Sequence, residues 1–176
     1  MLRKIVGYGS AAGLIVGIAS STVTATLQHH MPEPYGLVVG YLIMLVALSL
    51  VFVAVKRQRD AAQGGVIGFL PALGLGLGIS FVASLFYVAA WELTQAITHM
   101  DFAGSYARSV IDAQRAKGVT GAALAQVTAE MAAFKANYAN PLYRLPMTFA
   151  EIFPVGALVS LISAALLSNR RSRRTA

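Results

Sequence analysis

Four long apolar runs, at about 5–27, 35–55, 64–90 and 149–168, constrain this chain more than anything else in it. Each is close to the about 20 helical residues that cross a hydrocarbon core about 30 Å thick. A soluble chain of 176 residues would not carry four such stretches, so the pattern predicts a polytopic membrane protein. Composition agrees: 57% of residues are hydrophobic and 12% charged, against about 25% charged in an ordinary soluble domain, and the mean hydropathy is +0.66. In lipid every backbone N–H and C=O must be satisfied internally, which leaves helices or a closed barrel. The short alternating segments of a barrel are absent. The expected fold is therefore all-α and forms a single membrane domain. Four transmembrane helices are joined by an extracytoplasmic amphipathic helical hairpin, at about 98–146, between the third and fourth.

The net charge of +7 could suggest nucleic acid, but its placement does not. Of the 14 basic residues, nine fall on one side of the spans: Arg3, Lys4, Lys56, Arg57, Arg59, Arg170, Arg171, Arg173 and Arg174. The positive-inside rule then places both termini and the loop at 56–63 in the cytoplasm, with 28–34 and 91–148 outside. The expected partners are the lipid bilayer and either another membrane protein or a second copy of the chain. Residues 170–174 are expected to touch anionic lipid. The first span follows Arg3 and Lys4 as a signal peptide would, but its length favours a retained helix. There are no cysteines, so disulfide and thiolate chemistry are excluded.

The first span carries small residues at every fourth position: Gly9, Gly13, Gly17, Ser21 and Ala25. The third does the same with Gly68, Ala72, Gly76, Ser80 and Ser84. That spacing keeps them on one helix face, where missing side chains let another backbone approach. Contact within the chain is favoured over contact with a second copy. The second span is bulky nearly all round and is expected to be the most lipid-exposed helix. Pro71 predicts either a kink in the third span or a late start after Gly64-Gly65. The pairs Gly13-Leu14, Gly17-Ile18 and Gly74-Leu75, Gly78-Ile79 form a faint echo of a duplicated unit.

In the insert, Phe102, Tyr106, Val110 and Ala113 share one helical face, and Lys117-Gly118 marks a stop. Leu124, Val127, Met131, Phe134 and Tyr138 form a second stripe that Asn140-Pro141 ends. Thr148-Phe149-Ala150-Glu151 has the pattern of a capping box opening the fourth span, with Met147 and Ile152 as its staple.

Candidates for chemistry are few. Glu92, beside the interface anchor Trp91, could line a pocket with Arg144 and Glu151 at the outer end of the third and fourth spans. His29, His30 and His99 with Glu92 and Asp101 match no metal-ligand spacing, so no metal is expected. No cofactor motif and no nucleophile–base pair is present, so no enzyme activity is expected. No span has an ionisable residue near its middle, which argues against an ion-coupled transporter. The expected role is a structural or accessory membrane component. The alternative is a protein that binds or moves a small molecule, ion or lipid.

Residues 56–60 (Lys-Arg-Gln-Arg-Asp) and 64–69 (Gly-Gly-Val-Ile-Gly-Phe) resemble a bacterial membrane family, domain of unknown function 4199. So do 84–92 (Ser-Leu-Phe-Tyr-Val-Ala-Ala-Trp-Glu), 151–156 (Glu-Ile-Phe-Pro-Val-Gly) and the insert from Met131 to Pro141. The resemblance covers nearly the whole chain. It implies a four-helix integral protein of the bacterial inner membrane, and no activity or site comes with it.

Overall fold

The computed structural model describes residues 1–27, 35–61 and 65–168. Among them there are six α-helices: α1 (Leu2–Leu27), α2 (Tyr35–Ala61), α3 (Phe69–Thr98), α4 (Phe102–Ala116), α5 (Gly121–Tyr138) and α6 (Pro141–Leu167). Four of these, α1, α2, α3 and α6, are long and apolar enough to cross a membrane, consistent with a membrane protein. The chain divides into two compact units, one of Met1–Leu93 with Phe149–Ala176 and one of Thr94–Thr148.

In the first unit, α1 and α2 are antiparallel. Lys4 near the start of α1 reaches Gln58 near the end of α2, and Arg57 reaches Tyr8. α1 and α3 run in the same direction, since Gly9, Gly13 and Gly17 lie in turn against Val82, Ala83 and Ala90. α6 returns antiparallel to α3, with Gly76 against Ser160 and Ser80 against Gly156. Ala12, Val16, Leu48, Val51, Leu75, Ile79, Ile152 and Ala164 fill the interior between the four helices. Leu2, Leu14, Ile18, Leu42, Val46, Leu70, Leu85, Leu161 and Leu166 face outward, as they would toward lipid.

α2 departs from expectation. It buries Met44, Ala47, Leu48, Val51, Ala54 and Val55, and a larger share of its apolar stretch is buried than of α1's. A helix that is apolar all round has no polar face to betray its orientation, so composition could not show which stripe turns inward.

The helix ends also moved. α3 begins at Phe69 with Pro71 in its first turn, where a missing N–H is harmless, so Pro71 marks a late start. The neighbouring Gly64 lies outside the described residues. At its other end α3 runs to Thr98, and His99 stops it in the left-handed conformation (φ 51) while donating its N–H to the Gln95 carbonyl.

α6 begins at Pro141, well before the expected 149. Asn140 caps it, its Oδ1 accepting from the Leu142 N–H at 3.0 Å, and Pro141 occupies the first helical position. Thr148 is therefore inside the helix. Its hydroxyl donates back to the Arg144 carbonyl (3.0 Å), and the 148–151 capping box does not form.

In the second unit α4 and α5 pack antiparallel, closed at one end by aromatic rings. Phe102 meets Tyr138 (5.7 Å between centroids), Tyr106 meets Phe134 (5.5 Å), and Phe134 meets Tyr138 (5.5 Å). α4 ends at Ala116, and Gly118 follows at φ 80, a conformation that suits glycine. The α5 stripe is the expected one: Leu124, Val127, Met131 and Phe134 are half-buried and Tyr138 is buried. The α4 face is turned by one residue. Ala103, Gly104 and Ala107 are buried while Tyr106 is 41% exposed.

Candidate functional site

The best-defined polar and small-residue geometry in the first unit is a pair of seams on α3. A Cβ added to Gly13 would stand 2.5 Å from the Ala83 carbonyl oxygen and 2.5 Å from Phe86 Cβ. One at Gly9 would stand 2.6 Å from Val82 Cβ, and one at Gly17 would strike Ala90. On the other side of α3, Cβ atoms at Gly76 and Gly156 would stand 2.8 Å from Ser160 Cβ and 2.6 Å from Ser80 Cβ.

The buried serines are satisfied across and along this second seam. Ser160 donates to the Gly156 carbonyl (2.7 Å), which leaves its oxygen to accept from Ser80 (3.1 Å). Ser84 donates to the Ser80 carbonyl (2.8 Å) and Ser163 to the Val159 carbonyl (2.6 Å).

Of the small residues singled out in the third span, Gly76 and Ala72 are buried. Gly68 precedes the helix, and a Cβ there would meet only Pro71. Gly13 and Gly74 are not equivalent despite the sequence echo, because a Cβ at Gly74 meets nothing within 4 Å. Sequence reasoning missed the α6 side, although Gly156, Ser160 and Ala164 carry the same four-residue spacing and all three are buried.

Glu92 is half-buried late in α3, next to Trp91, which is buried at 7% exposure within the protein rather than turned outward as an interface anchor is. Glu151 is exposed inside α6. Both belong to the first unit and Arg144 to the second. Arg144 donates to the Tyr138 carbonyl (3.2 Å) and lies 5.7 Å from the centre of the Tyr138 ring, a cation–π contact.

Asp101 caps α4 by accepting from the Gly104 N–H (2.9 Å) and pairs with Lys135 of α5 (2.9 Å). The hydrogen bond from Lys135, with that from Gly104, holds its carboxyl below the usual aspartate value. Among the described residues no three His, Cys, Asp or Glu side chains gather as metal ligands. His29 and His30 lie outside the described residues.

Residues 8–169 match the model of a family described as a protein of unknown function, DUF4199. The chain belongs to that family. No curated protein and no solved structure matches it.

Proposed function

We propose that this member of DUF4199 is a structural or accessory component of a bacterial inner membrane, without catalysis of its own, that works by association with another membrane protein. The observation that supports this reading is the use made of the first unit's interior. Glycines admit neighbouring backbones and side chains along both seams of α3, and the buried serines bond to one another or to their own helices. Groups engaged in this way hold helices together, because in lipid apolar burial supplies no drive for helix association.

In the proposed orientation both termini and the segment 56–63 are cytoplasmic and α4 and α5 form an extracytoplasmic hairpin. The support is the basic residues at the start of α1 and the end of α2. Because the chain has no cysteine, single-cysteine variants test this directly. The K117C variant reacts with a membrane-impermeant maleimide on intact cells, and D60C reacts only after permeabilisation; the reverse pattern overturns the orientation.

The role is tested by native mass spectrometry of protein extracted gently from its own membrane. A stoichiometric protein partner is expected. A lone chain carrying a defined small molecule would refute the accessory role and favour the ligand-binding alternative.

A further inference from the structure

The end of the first unit where α1 begins and α2 ends carries an unusual arrangement of cations. Lys4 donates to the side-chain oxygen of Gln58 at 2.7 Å, and Arg57 donates to the Tyr8 hydroxyl at 3.0 Å. Both acceptors are neutral. They fix the two side chains without neutralising them.

Arg59 behaves differently. It gives two hydrogen bonds, 2.9 and 2.7 Å, to Asp60. Asp60 is the one acidic side chain in the sequences of α1 and α2, and no Asp or Glu occurs in 62–68 or 152–176. The sequence therefore supplies no other carboxylate side chain near this end to balance Lys4 and Arg57.

The Tyr8 hydroxyl accepts from Arg57 and retains its own proton to donate. Lys4, Tyr8 and Arg57 thus offer an ammonium, a hydroxyl and a guanidinium, all donors, as a phosphate requires. Lys4 and Tyr8 stand one turn apart on α1, and the same face continues through Ala11, Ile15 and Ile18, all exposed. A charged head above an apolar lane is the outline of a lipid.

The geometry points to a binding site for the phosphate headgroup of an anionic phospholipid at Lys4, Tyr8 and Arg57, with an acyl chain lying along Ala11, Ile15 and Ile18. The site rests on the reading of the long helices as membrane-crossing. Uncompensated cations attract the anionic surface, and their fixed positions favour one bound headgroup over a diffuse atmosphere.

The test uses the full chain reconstituted in phosphatidylcholine bilayers with and without phosphatidylglycerol. Retained lipid is read by native mass spectrometry and unfolding by circular dichroism. Wild type retains phosphatidylglycerol and unfolds at a higher temperature in its presence. K4Q and R57Q each lower that retention about fivefold, and Y8F, which keeps the ring and the packing, lowers it less. R59Q removes the same formal charge from a side chain already paired with Asp60 and leaves retention unchanged. Equal loss in R59Q reduces the effect to general surface charge and overturns the site, as does undiminished retention in K4Q/R57Q. Displacement of the lipid by millimolar inorganic phosphate would make it a soluble-anion site instead. If the chain inserts into neither bilayer, the membrane reading itself fails, which is distinguishable from insertion without lipid preference.

Discussion

Gly13 provides the sharpest test of the α1–α3 seam. Replacing it with alanine adds one carbon, which would stand 2.5 Å from the Ala83 carbonyl oxygen, 2.5 Å from Phe86 Cβ and 3.1 Å from Ala83 Cα. Two of these three atoms are backbone and the third is a Cβ, so no rotamer change clears them. α1 must retreat by roughly 1 Å, the gap between these distances and ordinary contact at about 3.5 Å. That retreat opens the contacts at Gly9 and Gly17 as well. Overpacking of this kind costs about 1–3 kcal/mol, and an obstacle of backbone atoms puts G13A toward the upper end.

Gly7 lies on the same helix with nothing within 4 Å of an added Cβ. G7A is expected to be neutral or to gain up to about 1 kcal/mol from alanine's better helix propensity. The assay is reversible unfolding in mixed micelles followed by circular dichroism. If G13A is as stable as G7A, the close approach of α1 to α3 is wrong.

Two further outcomes follow from individual contacts. N140A, which removes the α6 cap at Leu142, lowers stability by about 1 kcal/mol in the same assay, whereas T148V, which keeps the volume, causes no comparable loss. The reverse order would restore the helix start to 148. Asp101 has a folded pKa lowered chiefly by Lys135, so its stabilising contribution is full above the unfolded value of 3.8 and is lost as pH falls through the lower folded one. K135Q should raise the Asp101 carboxyl titration, followed by NMR, toward 3.8; an unmoved titration would show that the ion pair does not form in solution.

The long helices were legible because desolvation demands unbroken apolar runs, but their ends were not. Asn140-Pro141 is a stop for the helix before it and a cap for the helix after it, and the residue pattern alone makes only the first role evident. Hydropathy then favoured Thr148 as a start because the residues before it, from Tyr143 and Arg144 to Pro146, are less apolar. In α4 the expected face is engaged through Phe102 and Tyr106, which meet Tyr138 and Phe134, but burial is deepest one residue along at the small Ala103 and Ala107, because close helix approach favours small side chains. Glycine spacing identified α1 as a packing surface but not its partner. Gly7, Gly40 and Gly74 are the same residue type in the same kind of helix and touch nothing within 4 Å of an added Cβ.

A candidate site was harder to read for a related reason. In a chain of this kind polar side chains inside the helices serve packing, as Ser80, Ser84, Ser160 and Ser163 do, so polarity alone does not mark a site. Carboxylates discriminate better. Asp60, Asp101 and Asp112 form ion pairs with Arg59, Lys135 and Arg115, and Glu130 accepts from Gln126. Glu92, half-buried on α3, and Glu151, exposed on α6, are the remaining carboxylates among the described residues. An accessory role needs neither charge, so E92Q and E151Q should each fold as wild type does and co-purify, in native mass spectrometry, with the same protein partner as wild type at unchanged stoichiometry. If either substitution instead removes a co-extracted small molecule while the fold persists, the carboxylate belongs to a ligand site, and the protein acts on that ligand rather than through a partner.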